Sequence, residues 1–269
     1  MARRWLMVSA LIWILGSGAG PGVAAEASGI RDEMPPVPVE EIIRNFAAKE
    51  SEFRRARENY TYRQSVSIEV LTLEGRKTGQ RYYTLSDILF DNRGRRIEKI
   101  LRAPQSTLRS VQLTQEDLDD IQNIFPFVLT TTDIGKYSLT YLGKELIDEI
   151  DTYVFEVIPK LIRGKERYFE GKIWVDDQEL QIVKTDGKTV YRITKKNRDQ
   201  RFPRFETYRN MVDGKYWFPV YTKADDVLEF PGQRVRIREI VTYKNYKRFE
   251  ADVRITSTEE IPDEDEKDE

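Results

Sequence analysis

Histidine and cysteine are both absent from this 269-residue chain, and that decides most of its chemistry. No Ser-His-Asp triad, Cys-His pair or histidine-based zinc site can be assembled, and no histidine pH switch exists. Disulfides are excluded as well. Lysine, tyrosine and carboxylates remain. Asp176, Asp177 and Glu179 form one carboxylate cluster. Acid–base pairs need surroundings that push their pKa values apart, which a solvated hairpin tip does not provide. The ligand spacing of a calcium loop is also missing, so a polar turn is the expectation. Arg234, Arg236 and Arg238 make a basic stripe along one strand face. It could meet anionic headgroups or an acidic partner, but the solvent side of a sheet is the commoner role. The run from Lys195 to Arg201 reads as a polar connection before a docking site. No catalytic residue, cofactor or metal is expected.

Charge is unevenly spread. Arg3 and Arg4 precede an 11-residue apolar run, glycines follow, and Val23, Ala24 and Ala25 offer small residues before Glu26. This is the pattern of a secretory signal peptide cleaved after Ala25. An apolar run of 11 residues is short beside the roughly 20 that span a bilayer. Export to the bacterial periplasm is the expected localisation, without a lipid anchor, since no cysteine is available to carry one. Residues 259–269 hold eight acids and one lysine, leaving residues 26–258 with 41 basic and 38 acidic side chains. A net of +3 does not suggest nucleic-acid binding.

The elements that would position any site are mostly strands. Residues 26–38, with three prolines, read as an extended lead-in, and residues 39–58 as a helix. There Ile42, Ile43, Phe46, Ala47 and Phe53 share a face opposite Glu40, Arg44, Lys49 and Arg54. From residue 60 the period changes to 2. Strands are expected over 60–70, 81–90 and 95–102, then 137–142, 152–159, 167–175, 180–186 and 190–194, then 204–210, 216–224 and 233–246. Thr114 and Asp117 open a short helix over 114–124. So many successive strands indicate a mainly β fold, one large antiparallel sheet curled into a barrel or half-barrel. The expected organisation is a signal peptide at 1–25, a lead-in at 26–38, one domain at 39–256 and an acidic disordered tail at 257–269.

The hairpin over 169–184 carries a resemblance. Gly171, Trp174, Val175 and Asp176, then Leu180, Ile182 and Val183, with Tyr216 to Pro219 later, resemble the outer-membrane lipoprotein-sorting superfamily of LolA, LolB and RseB type. The resemblance spans most of residues 40–254 and implies an unclosed half-barrel. Its N-terminal helix and a short helical lid would cover the concave face, enclosing an apolar cavity for lipid or lipoprotein acyl chains. In such carriers an early-strand arginine ties down the lid, and Arg63 lies in that region.

Candidate cavity-lining residues are Tyr60, Tyr62, Val66, Ile68, Phe155, Trp174 and Tyr191, with Phe125, Phe127 and Leu129 near the lid. An ordinary closed core competes for each, because alternating apolar positions mostly mean core. Trp174 falls on the polar side of its strand and fits either the cavity or the opposite face. The expectation is a monomeric, non-enzymatic periplasmic carrier or sensor of acyl chains. An RseB-like regulatory module that binds an envelope membrane protein is the alternative.

Overall fold

A computed structural model describes residues 29–91, 93–194 and 201–249. The signal-peptide segment, the acidic tail and most of the 195–201 connection lie outside the described residues. Helix α1 (Val39–Arg57) is followed by strands β1 (Tyr60–Leu71), β2 (Lys77–Phe90) and β3 (Arg96–Arg102). Helix α2 (Gln115–Asn123) precedes β4 (Tyr137–Ile147), β5 (Ile150–Pro159), β6 (Arg167–Asp176) and β7 (Ile182–Tyr191). The last strands are β8 (Phe205–Val212), β9 (Tyr216–Phe230) and β10 (Gln233–Arg248).

These ten strands form one antiparallel sheet in the order β3-β2-β1-β10-β9-β8-β7-β6-β5-β4. Strands β3 and β4 are its edges, so the barrel stays open, as the resemblance implies, where the strand pattern left a closed barrel or a half-barrel. The last strand closes against the first, with Val66 opposite Val241 and Ile68 opposite Glu239. Several boundaries differ from expectation: β2 starts at Lys77, β4 runs to Ile147 and β9 to Phe230. The run at 190–194 is no separate strand, because β7 continues to Tyr191. Leu180 sits in the turn with φ 54°, and the return strand begins at Ile182.

Helix α1 lies across one face of the sheet. Its inward row is Ile42, Phe46, Ala47, Glu50 and Phe53, at the spacing of one helix face. Phe46 meets the Phe155 ring 5.7 Å away. After α2, Phe127 stacks on Phe169 with centroids 4.3 Å apart. These side chains join Val66, Ile68 and Ile121 in one core cluster beneath the helices. Burying each such large side chain contributes about 1.5–3 kcal/mol. The hairpin supports this core through Gly171 and Gly187, which face each other across β6 and β7. A methyl on Gly171 would strike the Asp186 carbonyl, and one on Gly187 would strike the Phe169 ring.

The hairpin tip is a turn. Asp176 Oδ1 accepts from the backbone N–H groups of Gln178 and Glu179, both at 2.7 Å, while Asp177 pairs with Lys144 at 2.7 Å. No group of acidic side chains among the described residues is arranged to hold a metal ion.

A strapped cavity with a buried carboxyl

Residues 103–113 leave the β3 edge, run along β2 and cross the inner face to reach α2. Thr107 fixes the start of this strap, its backbone N–H donating to the Arg81 carbonyl at 3.0 Å. The Gln80 side chain fixes its middle. Gln80 Oε1 accepts from Arg109 N and Ser110 N, both at 2.8 Å, and Nε2 donates to Ser110 Oγ at 2.9 Å. One amide thus satisfies two backbone donors that no ladder serves.

Beneath the strap lies a cavity of about 360 Å³, within the roughly 300–1,000 Å³ typical of small-molecule sites. Ile68, Leu228, Ile237 and Phe230 form its sheet side, and Leu108, Val111 and Leu113 its strap side. Arg201 and Gln233 also line it, and Arg201 Nε donates to the Glu229 carbonyl at 2.7 Å.

Glu239 lines the same cavity. It occupies the inward row of β10 between Ile237 and Val241 and is 5 % exposed. Its Oε1 has no hydrogen-bond partner among the described residues. Burial, then repulsion from Asp117 and Asp120, pushes its carboxyl up to about 8. Such an acid is largely neutral at pH 7 and can donate as well as accept.

Both neighbours come from α2. Asp117 closes a capping box, Oδ2 accepting from Thr114 N at 2.7 Å and from Thr114 Oγ1 at 2.8 Å. Burial raises its pKa against those bonds. Burial also lifts Asp120 to about 7, although Arg167 Nε stands 3.0 Å from Oδ1 and opposes the shift.

A second buried charge holds the lid. Arg209, on β8, donates Nη1 to Glu50 Oε1 at 3.0 Å and Nη2 to the Phe127 carbonyl. Its guanidinium lies 5.0 Å from the Phe53 ring centroid. Glu50 Oε1 also accepts from Ile182 N at 3.2 Å. Burial raises Glu50, and Arg209 works against that shift. The pair therefore joins α1, the sheet and the segment after α2. Arg63 instead pairs with Asp87 across β1 and β2 at 2.8 Å.

Of the expected lining residues, Ile68 faces this cavity. Val66, Phe125, Phe127, Leu129 and Phe155 belong with it to the packed core under the helices, and Tyr62 packs against that core. Tyr60 joins Phe53 and Phe218 in an adjoining cluster. Tyr191 meets the Phe202 ring at 5.3 Å. Trp174 lies on the other face with Val154, Val183 and Trp217, donating Nε1 to Glu145 at 2.7 Å. The arginine stripe is paired in place: Arg236 and Arg238 share Asp225, each at 2.8 Å, and Arg234 stands 3.5 Å from Glu229.

Periodicity could have found the missed residues. Glu239 and Glu50 are acids written into apolar registers, at i+2 from Ile237 and at i+4 from Phe46.

No family model and no curated protein matches the chain. Among solved structures it is similar to a DUF1329 family protein from Desulfovibrio piger, at 17% identity and TM-score 0.42, covering 81% of this chain and 95% of that one. It is also similar to a putative outer membrane lipoprotein-sorting protein domain from Vibrio parahaemolyticus, at 12% identity and TM-score 0.32, covering 77% and 92%. MucB in complex with MucA(peri) matches at 8% identity and TM-score 0.23, covering 77% and 94%. Identities this low speak to fold alone.

Proposed function

We propose that the chain is a non-enzymatic carrier or sensor of the cell envelope, working in the periplasm and taking an apolar chain of the lipid or lipoprotein-acyl kind beneath its strap. The cavity of about 360 Å³ carries this reading, since Ile68, Leu228, Phe230 and Ile237 on the sheet and Leu108, Val111 and Leu113 on the strap give it an apolar wall. Each methylene moved from water into such a space contributes about 0.8 kcal/mol. The strap supplies a route in, because its hold rests on the Gln80 and Thr107 side chains and one backbone bond, Thr107 N–H to the Arg81 carbonyl, rather than on a strand ladder. The carboxyl cluster does not itself argue for catalysis: Asp117 is committed to a helix cap and Asp120 faces Arg167.

The test is uptake of a fluorescent alkyl probe by the mature protein, with native mass spectrometry of protein taken from its own envelope. Saturable uptake and a co-purifying lipid mass support the reading. No uptake and no bound lipid would sink it.

A regulatory interaction module is the second reading. It is favoured by edge strand β3, which exposes Ile97 and Ile100, at 49% and 61%. An open edge with apolar side chains is a surface on which another chain can pair. Co-purification with an envelope membrane protein, lost on replacing Ile97 and Ile100 by lysine, would select it over carriage.

A further inference from the structure

We propose that the strapped cavity selects an amphiphile with a cationic amine head, the nitrogen docking on Glu239 and the tail lying between Leu108 and the sheet residues Ile68, Leu228 and Ile237. The proposal deepens the apolar-chain reading and rests on it. Its geometric basis is a carboxyl oxygen, nine-tenths buried and without a hydrogen-bond partner among the described residues, in the wall of a space that Asp117, Arg201 and Gln233 line together with aliphatic side chains. A buried acceptor in that state is costly, and a donor on the ligand would relieve it.

Charge favours a cation over a neutral donor. Asp117 and Asp120 on α2 both repel charge on Glu239. Arg167 is engaged at Asp120, 3.0 Å away, and Arg201 on the rim donates to the Glu229 carbonyl. An ammonium beside Glu239 would face the negative charge that Asp117 and Asp120 bring to this wall when ionised, whereas a carboxylate head would add to it. A hydroxyl head could satisfy Oε1 but would bring no positive charge to face those two acids.

Proton accounting follows from this pairing. The amine arrives protonated, and Glu239 gives up its own proton to solvent to become the counter-charge. Binding the amine at pH 7 should release roughly one proton, and binding an alcohol none.

The experiment compares dodecylamine, dodecanol and dodecanoate, each below its micelle concentration, by calorimetry on the mature protein in buffers of different ionisation enthalpy. The expected result is amine binding about ten-fold tighter than alcohol, dodecanoate weakest, with proton release for the amine alone. Glu239→Gln should remove both the preference and the release while alcohol binding persists. Equal affinity for amine and alcohol, or an amine that releases no proton, would overturn the proposal. So would an unchanged preference in Glu239→Gln. If that variant does not fold, proton release by the unaltered protein decides. Tightest binding of dodecanoate would overturn the amine head and leave the apolar cavity standing. Binding of none of the three would remove both.

Discussion

Arg209 and Glu50 meet 3.0 Å apart with side chains 1% and 0% exposed, joining β8 to the inner face of α1. Removing one partner of such a pair strands the other in the core at a cost of about 3–5 kcal/mol. Arg209→Met should therefore destabilise by that order in urea unfolding. The double variant Glu50→Leu with Arg209→Met should recover much of the loss. Additive losses would mean that the two residues act separately. Each single change also leaves a backbone group without its partner, the Phe127 carbonyl in Arg209→Met and the Ile182 N–H in Glu50→Leu.

Gln80 is the clasp of the strap. Gln80→Ala removes three hydrogen bonds, each contributing a net of about 0.5–1.5 kcal/mol. Because the strap is local, the effect should fall on its opening more than on global unfolding. Amide exchange at Arg109 and Ser110 should accelerate strongly, with little change in the β1–β10 ladder. Faster exchange throughout the sheet would show that the strap is part of the cooperative core.

Glu239 gives stability a pH dependence of definite sign. Folded, its carboxyl titrates near 8 and that of Asp120 near 7, against roughly 4 in the unfolded chain. Between those values the folded state holds more protons, so this contribution is full below about pH 4 and is lost as pH rises through 7 to 8. Asp225 acts in a separate, lower window. Arg236 and Arg238 overcome the effect of burial and hold it below its ordinary value, so its contribution is lost only in acid. The expected result is a melting temperature that falls between pH 5 and pH 8.5, and falls less in Glu239→Gln. A variant whose slope matches that of the unaltered protein would remove Glu239 from the account.

Gly171 and Gly187 make the hairpin hard to substitute. Gly171→Ala should cost about 1–3 kcal/mol or more, as overpacking does, because the added methyl meets the Asp186 carbonyl. Gly214→Ala is the contrast: its φ is 63°, but nothing lies within 4 Å of the added carbon. Its cost should come from backbone conformation alone, about 1 kcal/mol. Thermal unfolding of the two variants separates steric from conformational penalties.

Much of this architecture was legible before any coordinates. The period-2 runs marked the strands, the acids after Val175 marked a turn, and Thr114 with Asp117 marked the second helix. The cavity was less legible because alternation says which face a side chain takes, not whether the space above it is filled. Phe125, Phe127, Leu129 and Phe155 point inward as expected, yet they pack with α1 into solid core. The hollow lies instead under residues 108–114, a stretch with no helical or strand period to announce it. Arg209 was hidden by distance: its partners, Glu50 and Phe127, lie 159 and 82 residues away. Glu239 was legible in principle, as an acid in an apolar row, but the flanking arginines of β10 drew the reading to the opposite face.

An apolar chain lying beneath the strap can be located by photo-crosslinking. A diazirine-bearing aliphatic probe with an amine or alcohol head, irradiated on the mature protein and mapped by peptide mass spectrometry, should label residues 108–113 and 228–239. A cavity-filling Ile237→Trp variant should lose that labelling. Labelling concentrated on α1 and residues 125–129, or none that competes with unlabelled lipid, would contradict the account.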